Sequence, residues 1–359
     1  MLKWIQFAMV LLVVPAMVPR RFVHWLIISL LSGAILQALL GLYQFIFHRS
    51  RVVHHSRTLY ARQWQLWSAQ SPGGYLGLSL PVAFSLALWS LTQHWRPQFQ
   101  EAGAGKRMHW QLLWTSFTVG AAVAIALGLL ASWSRGGWLG MVGSSFTVLL
   151  LRSKWVAAWL GTFGAILAVT LLFGAVQPQW VPAPIAARFE EIPAYFGLTD
   201  LLQQPVTDEN FAIIERLAHW DAALRMWDRA PWLGIGPGNY ATIYPEVNLP
   251  QWEEALGHAH NIYLNMLAEG GLLGFFAYLL LWSSILFWLG QQLRRAQLSP
   301  VWQAPQWTIP LLIGVIGVVV HLSIHNFFDN LFVQGNYLHI AMWLVVARIA
   351  VGRENHKFS

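Results

Sequence analysis

The chain has no cysteine, which excludes disulfide staples, thiolate nucleophiles and cysteine-ligated metals. It is also short of charge. Aspartate, glutamate, lysine and arginine make up 10% of its 359 residues, against roughly 25% in an ordinary soluble domain. Apolar residues take their place: 56% of the chain is hydrophobic, 14% is aromatic, and the mean hydropathy is +0.48. A soluble globule cannot bury that much apolar surface, so soluble α/β enzymes are excluded. Repeated apolar runs near the bilayer-spanning length predict an all-α polytopic membrane protein instead. No separate cleavable signal stands at the front, because the first apolar run passes directly into the next.

Nine spans are expected, at about 4–18, 22–47, 73–92, 111–132, 136–151, 155–176, 260–289, 307–328 and 332–351. Arg20 and Arg21, then Arg96, Lys106 and Arg107, then Arg152 and Lys154, then Arg294 and Arg295, then Arg353 and Lys357 all fall on one side of these spans. Cytoplasmic loops carry the Lys/Arg excess, so that side is expected to be the cytoplasm. Residues 177–258 then lie outside. They hold eleven of the 15 acids against four arginines, for a net charge of −7, while the remainder is net +14. The net charge of +7 and pI near 9.9 are thus read as topology and lipid-headgroup signals, and no nucleic-acid partner is expected. The expected organisation is a membrane bundle of about six spans over 1–176, an extracytoplasmic loop over 177–258, about three further spans over 259–351, and a cytoplasmic tail over 352–359. One outer connector, 48–72, breaks the charge rule with Arg49, Arg51, Arg57 and Arg62. Two readings stand there: contact with lipid phosphates, or an anion-binding role for which Arg57 and Arg62 are the candidate substrate contacts.

The outer segment is patterned. Ile213, Leu217, Trp220, Leu224 and Trp227 recur at helical spacing, Asp208 offers an N-cap and Pro231 a stop, which predicts an amphipathic helix over 208–230. At 100° per residue, Arg216 lies about 60° from the centre of that stripe and Arg225 about 120° away. Arg216 is therefore the cation turned toward the bundle, either as a snorkelling boundary residue or as a ligand. The glycines of Leu233-Gly234-Ile235-Gly236-Pro237-Gly238-Asn239 lack a following Lys-Ser/Thr and predict a tight turn rather than a phosphate loop.

From Gly257 to Gly271 the pattern predicts a helix returning to the membrane and interrupted by Gly270-Gly271, with Asn261, Asn265 and Glu269 on one polar face. On a helix, His258 and His260 would point about 160° apart and would not share a ligand. Arg135, in Ser134-Arg135-Gly136-Gly137-Trp138, sits at a span junction, where it either snorkels or binds an anion for which the two glycines leave room. His321, His325 and Asp329 at i, i+4, i+8 share one helix face, open to a polar stripe or to a divalent ion. No metal is expected.

Taken in order, three stretches resemble the O-antigen ligase family, which groups lipopolysaccharide O-antigen ligases, O-antigen polymerases and protein O-oligosaccharyltransferases. They are Ser134-Arg135-Gly136-Gly137-Trp138, then Arg216 to Trp220 leading into Pro231-Trp232-Leu233-Gly234-Ile235-Gly236-Pro237-Gly238-Asn239, then Ala259-His260-Asn261-Ile262-Tyr263-Leu264 through Glu269-Gly270-Gly271-Leu272-Leu273-Gly274. The resemblance runs from about Ser71 to Val351. It implies a C-type glycosyltransferase-like helical bundle with one large extracytoplasmic loop. It also implies transfer of a glycan from undecaprenyl diphosphate to a lipid, glycan or protein hydroxyl, on the outer face of the plasma (inner) membrane, with no nucleotide sugar, cofactor or metal.

The family's junction arginine corresponds to Arg135, its outer-helix arginine to Arg216 and its histidine before the returning span to His260. Family members usually have about a dozen spans, so about three N-terminal spans are expected to be lacking here. Ser68-Ala69-Gln70-Ser71-Pro72-Gly73-Gly74 stands where relatives often carry an Asn-Pro-Asn-like turn.

The same residues suit that chemistry on physical grounds. A diphosphate leaving group gains charge as the anomeric C–O bond breaks, and Arg135 and Arg216 would stabilise it through bidentate hydrogen bonds. The acceptor hydroxyl must lose a proton, and a neutral His260 imidazole is suited to take it. Asn261, Arg57 and Arg62 complete the expected substrate contacts, and membrane lipids surround the bundle. The competing class is a transporter, such as one associated with inorganic-carbon uptake, or within the same chemistry an O-antigen polymerase. A transporter calls for paired broken helices in two halves and ionisable groups near the midplane. Here the Gly-Gly interruptions at 136–137 and 270–271 form no repeat, and the ionisable groups gather at span ends.

Overall fold

The computed structural model describes residues 2–48, 70–94, 104–166 (without 154, 157 and 160), 202, 206, 210–298, 305–332 and 335–352. The expectations for Arg57, Arg62, Asp208, most of the 155–176 span and the 352–359 tail fall wholly or nearly so outside the described residues. Every regular element among those described is helical. The helices are α1 (Leu2–Met17), α2 (Val23–His48), α3 (Gln70–His94), α4 (Ala104–Ala131), α5 (Arg135–Arg152), α6 (Phe211–Arg229), α7 (Tyr240–Ile243), α8 (Ile262–Leu298), α9 (Thr308–His325) and α10 (Asn336–Val351). Among the described residues, five helical stretches are long and apolar enough to cross a membrane: Arg20–Phe47, Gly73–Thr92, His109–Ala131, Ile262–Leu298 and Thr308–His325. The protein is an all-α, multi-pass membrane protein. Most described helix ends lie within a few residues of the expected spans, except that α4 starts seven residues early at Ala104 and α8 runs nine residues on to Leu298; long apolar runs have one low-energy solution in lipid, a helix that pairs all its own backbone groups.

The chain divides into two compact units, 1–152 with 282–359, and 153–281. In the first, α9 is the central helix, with 14 of its 18 residues buried, and it packs against α3 and α5. α4 covers α3, α2 lies on α4, and α1 on α10. Small residues bring these backbones close together, the usual device where lipid supplies no hydrophobic drive. A Cβ on Gly314 would stand 2.7 Å from the Cα of Val82, and one on Gly317 2.7 Å from the Cβ of Pro81. Ser85 Oγ donates to the Pro310 carbonyl at 2.7 Å, fixing α3 on α9.

In the second unit α6 covers 211–229, close to the expected 208–230, and the chain leaves it at Ala230-Pro231. The inward face differs from the expected stripe. Ile213 and Trp220 are buried as anticipated, but the rest of that face is Ile214, Ala218, His219, Ala222, Ala223 and Met226, while Leu224 is 42% exposed. Small residues let α6 seat closely on Tyr240, Tyr244, Val247 and Ala259, and this close packing outweighs burial of the larger Leu224.

α8 is broken near its start, at Gly271 (φ 60°, ψ −163°). The loop 231–236 repairs the break. Ile235 and Gly236 N–H donate to the carbonyls of Ala268 and Glu269 at 2.9 and 3.1 Å, and Leu272 and Leu273 N–H donate to those of Pro231 and Trp232 at 2.8 and 3.2 Å. Backbone freed at membrane depth must be paired in this way. The contact is so close that any side chain at Gly234 or Gly271 would overlap the facing backbone.

Candidate functional site

His260 lies in irregular chain ahead of α8, not on a helix. Asn261 is the reason: its Oδ1 accepts from the N–H groups of Tyr263 and Leu264 at 2.9 and 3.1 Å, so it caps a helix that begins at Ile262. The expectation that His258 and His260 point apart is therefore corrected. Their rings are 4.4 Å apart, and His260 N–H donates to His258 Nδ1 at 3.1 Å. His260 adopts a left-handed backbone, φ 49°, which costs an ordinary residue roughly 1–3 kcal/mol and persists only where its surroundings impose it. They do so here. Asn265 Oδ1 accepts from Ala259 N–H at 3.1 Å, the cap fixes the far side, and His260 is only 7% exposed. The Asn265–Glu269 face is polar as expected, and its Glu269 Oε1 accepts from Tyr240 N–H at 3.2 Å.

α6 supplies the other groups. Arg216 is half-buried with its Nε out of solvent, whereas Arg225 is exposed and bonded to Asp221 at 2.9 Å. Glu215 sits within electrostatic reach of His260, Arg216, Glu254 and Tyr244. Burial raises its carboxyl above the ordinary carboxylate range, and the neighbouring His260 and Arg216 pull it partly back.

One turn further along α6 is His219, which the sequence reading did not single out. It is 1% exposed, stacks on Tyr244 at 4.7 Å and meets His260 edge-on at 5.8 Å. Burial, with the neighbouring His260, pushes its imidazole down to about 4, so it is neutral at physiological pH. Tyr240 and Tyr244 are fully buried. Burial raises both phenols, Tyr244 to about 12. His260 thus has an uncharged imidazole, itself backed by two uncharged phenols, on its α6 side, with Glu215 within electrostatic reach. A single histidine inside an amphipathic pattern gives no periodic signal, and its tyrosine partners lie 21 and 25 residues away, so sequence offered little that could have found it.

Arg135 belongs to the first unit, where it opens α5. Ser134 Oγ accepts from Gly137 N–H at 3.1 Å and caps that helix. The expectation that Gly136 and Gly137 leave space for an anion is corrected. A Cβ on Gly136 would lie 2.6 Å from His325, and one on Gly137 3.0 Å from Leu129 and 3.1 Å from Ser134. The glycines admit protein, not ligand.

His321 and His325 do share a face of α9, but the helix ends at His325, so Asp329 leaves that face and its Oδ1 accepts from Asn330 N–H at 2.7 Å. His321 Nε2 and His325 Nδ1 are 3.2 Å apart, and His325 Nε2 is 3.4 Å from Ser134 Oγ. Three ring nitrogens that a metal would need are engaged with protein, which matches a hydrogen-bonded polar stripe.

Of the expected site residues, Arg216, His260 and Asn261 fall in the second unit and Arg135 in the first. Residues 120–279 match the family model described as O-Antigen ligase, so this region of the chain is similar to that family. The matched stretch holds Arg135, Arg216, His260 and Asn261, together with the glycine loop that repairs α8. The match supports glycosyl transfer of the ligase or polymerase type in general. No curated protein matches the chain.

Proposed function

We propose that the protein transfers a glycan from undecaprenyl diphosphate to a hydroxyl acceptor on the outer face of the plasma membrane. His260 is the general base, and Arg216 and Arg135 are the diphosphate-binding cations. The acceptor oxygen attacks the anomeric carbon as the bond from that carbon to the diphosphate oxygen breaks. The hydroxyl proton goes to the His260 imidazole, and the electron pair leaves with the diphosphate. Guanidinium groups stabilise the charge that develops on the leaving group, so the reaction as proposed needs no metal or nucleotide sugar. Asn261 is a substrate contact through its amide nitrogen only, because its oxygen is committed to capping α8.

The observation that carries this reading is the surroundings of His260 inside the family-matched region: a buried histidine, held in left-handed backbone, beside a carboxylate and an arginine. Clusters of buried ionisable side chains of this kind are typical of acid–base sites. The test is reconstitution of the purified protein in liposomes with an undecaprenyl diphosphate-linked oligosaccharide and lipopolysaccharide lacking O-antigen. Formation of the new glycosidic bond, with stoichiometric release of undecaprenyl diphosphate, is the expected result. Extension of one lipid-linked glycan by another would instead identify a polymerase. Movement of substrate across the bilayer with no bond formed would refute the proposal.

A further inference from the structure

A base that works by proton transfer must be held in reach of its substrate, and a displacement of about 1 Å can cost about 100-fold in rate. His260 has no helix to hold it. Its backbone is strained and pinned from the chain side by Asn265, Asn261 and His258. What meets its ring from α6 is His219, edge-on at 5.8 Å.

His219 is itself fixed on two faces. Its ring stacks on Tyr244 at 4.7 Å with planes 24° apart, and Tyr240 and Tyr244 stack on each other at 5.8 Å. The Tyr240 hydroxyl donates to the His219 carbonyl at 2.9 Å and lies 3.2 Å from His219 Nδ1. A hydroxyl has one proton to give. With that proton on the carbonyl, the phenol oxygen is an acceptor for the ring, so Nδ1 carries the His219 hydrogen and Nε2 is left as the lone-pair nitrogen. One phenol therefore fixes the backbone, the ring orientation and the tautomer of His219. Tyr240 is anchored in turn by its N–H to Glu269 Oε1, one residue before the Gly270-Gly271 interruption. A chain of contacts thus runs from the repaired break in α8, through Tyr240, to the ring beside His260.

We propose that His219 is the positioning residue of His260, holding the ring of the general base through an edge contact that Tyr240 and Tyr244 make rigid. The inference rests on His260 being that base. His219 touches no reacting atom and takes up no proton. Its low basicity keeps a second positive charge away from His260 when that ring accepts a proton.

The test is initial-rate kinetics in the liposome system above, varying the undecaprenyl diphosphate-linked oligosaccharide. The wild type is compared with His219→Ala, His219→Phe, Tyr240→Phe and His260→Ala, each checked for a monodisperse, folded state. His219→Ala is expected to lower kcat by about 100-fold with donor KM within about twofold, as for misplacement of a base. His219→Phe, which keeps the aromatic edge and the stack on Tyr244, is expected to recover most of that loss. Tyr240→Phe keeps the His219 ring but frees it, and should lower kcat about tenfold at unchanged KM.

A merely structural role would lower the amount of active protein and leave the kcat of the folded fraction alone. If His219→Ala fails to fold, the Phe and Tyr240 variants decide. Wild-type kcat in Tyr240→Phe, or in His219→Ala while His260→Ala is inactive, overturns the positioning role and leaves His260 as the base. Full activity in His260→Ala refutes the base and this inference with it.

Discussion

The two units hold buried histidines in opposite ways. In the first, His321 and His325 stand on an unbroken helix and face each other and Ser134, enclosed by backbone that carries no Cβ at Gly77, Gly136 and Gly140. In the second, His219 and His260 come from separate segments and meet edge-on among tyrosines, with His260 in strained backbone and Glu215 nearby. The first arrangement ties three of its four ring nitrogens to protein partners and suits structure. The second invests strain and burial in one imidazole and suits chemistry. A histidine's hydrogen-bond bookkeeping and backbone, more than its burial, separate the two uses, since all four rings are below 8% exposed.

The contrast is tested most severely at two glycines of the same helix. Gly271 has φ 60° and faces the Trp232 carbonyl, whereas Gly290 has nothing within 4 Å. Gly271→Leu should cost more than about 4 kcal/mol and abolish a monodisperse peak in size-exclusion chromatography, because strain and overlap act together. Gly290→Ala should be neutral or stabilising by up to about 1 kcal/mol. Equal tolerance at both sites would mean that the loop 231–236 does not clasp the broken helix.

Next in size is the pH response of the second unit. His219 titrates at about 4 when folded, below its ordinary value near 6.5 in an unfolded chain. The folded state therefore favours the neutral ring. That contribution is fully present above pH 6.5 and is lost as pH falls toward 4, amounting to about 3 kcal/mol. Thermal unfolding of the wild type should weaken between those pH values by more than that of His219→Phe. Parallel curves would contradict the buried, neutral imidazole.

Arg216 and Arg225 sharpen the same comparison within α6. Removing a donor that stabilises developing charge costs about 100-fold in kcat, so Arg216→Ala should lose that much transfer. Arg225→Ala, on the exposed side with a partner in Asp221, should keep wild-type rates. The smallest effect belongs to the first unit: Ser134→Ala removes the α5 cap and should lower thermal stability by about 1 kcal/mol.

Most of the membrane architecture was legible in the sequence, because apolar length and Pro/Gly punctuation act locally. Ile262 to Leu298 reads as a broken span from its Gly-Gly pair alone. The errors share a physical cause. Hydropathy periodicity weights large residues and so points Leu224 inward, whereas Ala218, Ala222 and Ala223 fill that face by closer approach. Periodicity alone puts His258 and His260 on a helix, whereas Asn261, an Asn before an apolar run and so a start signal, begins the helix after them. The glycines beside Arg135 suggest room for a ligand but make room for His325, Leu129 and Ser134. Sequence indicates that space exists, while packing decides what occupies it. The His219–Tyr240–Tyr244 group joins positions far apart in sequence, and no local pattern announces it.

Transfer by His260→Ala is the most direct measurement. In liposomes with undecaprenyl diphosphate-linked oligosaccharide and saturating acceptor, the folded variant should form the glycosidic bond at about 1% of the wild-type rate or less, the share left when a general base is removed. A rate equal to the wild type would contradict the assignment of this buried, strained imidazole as the group that takes the acceptor's proton.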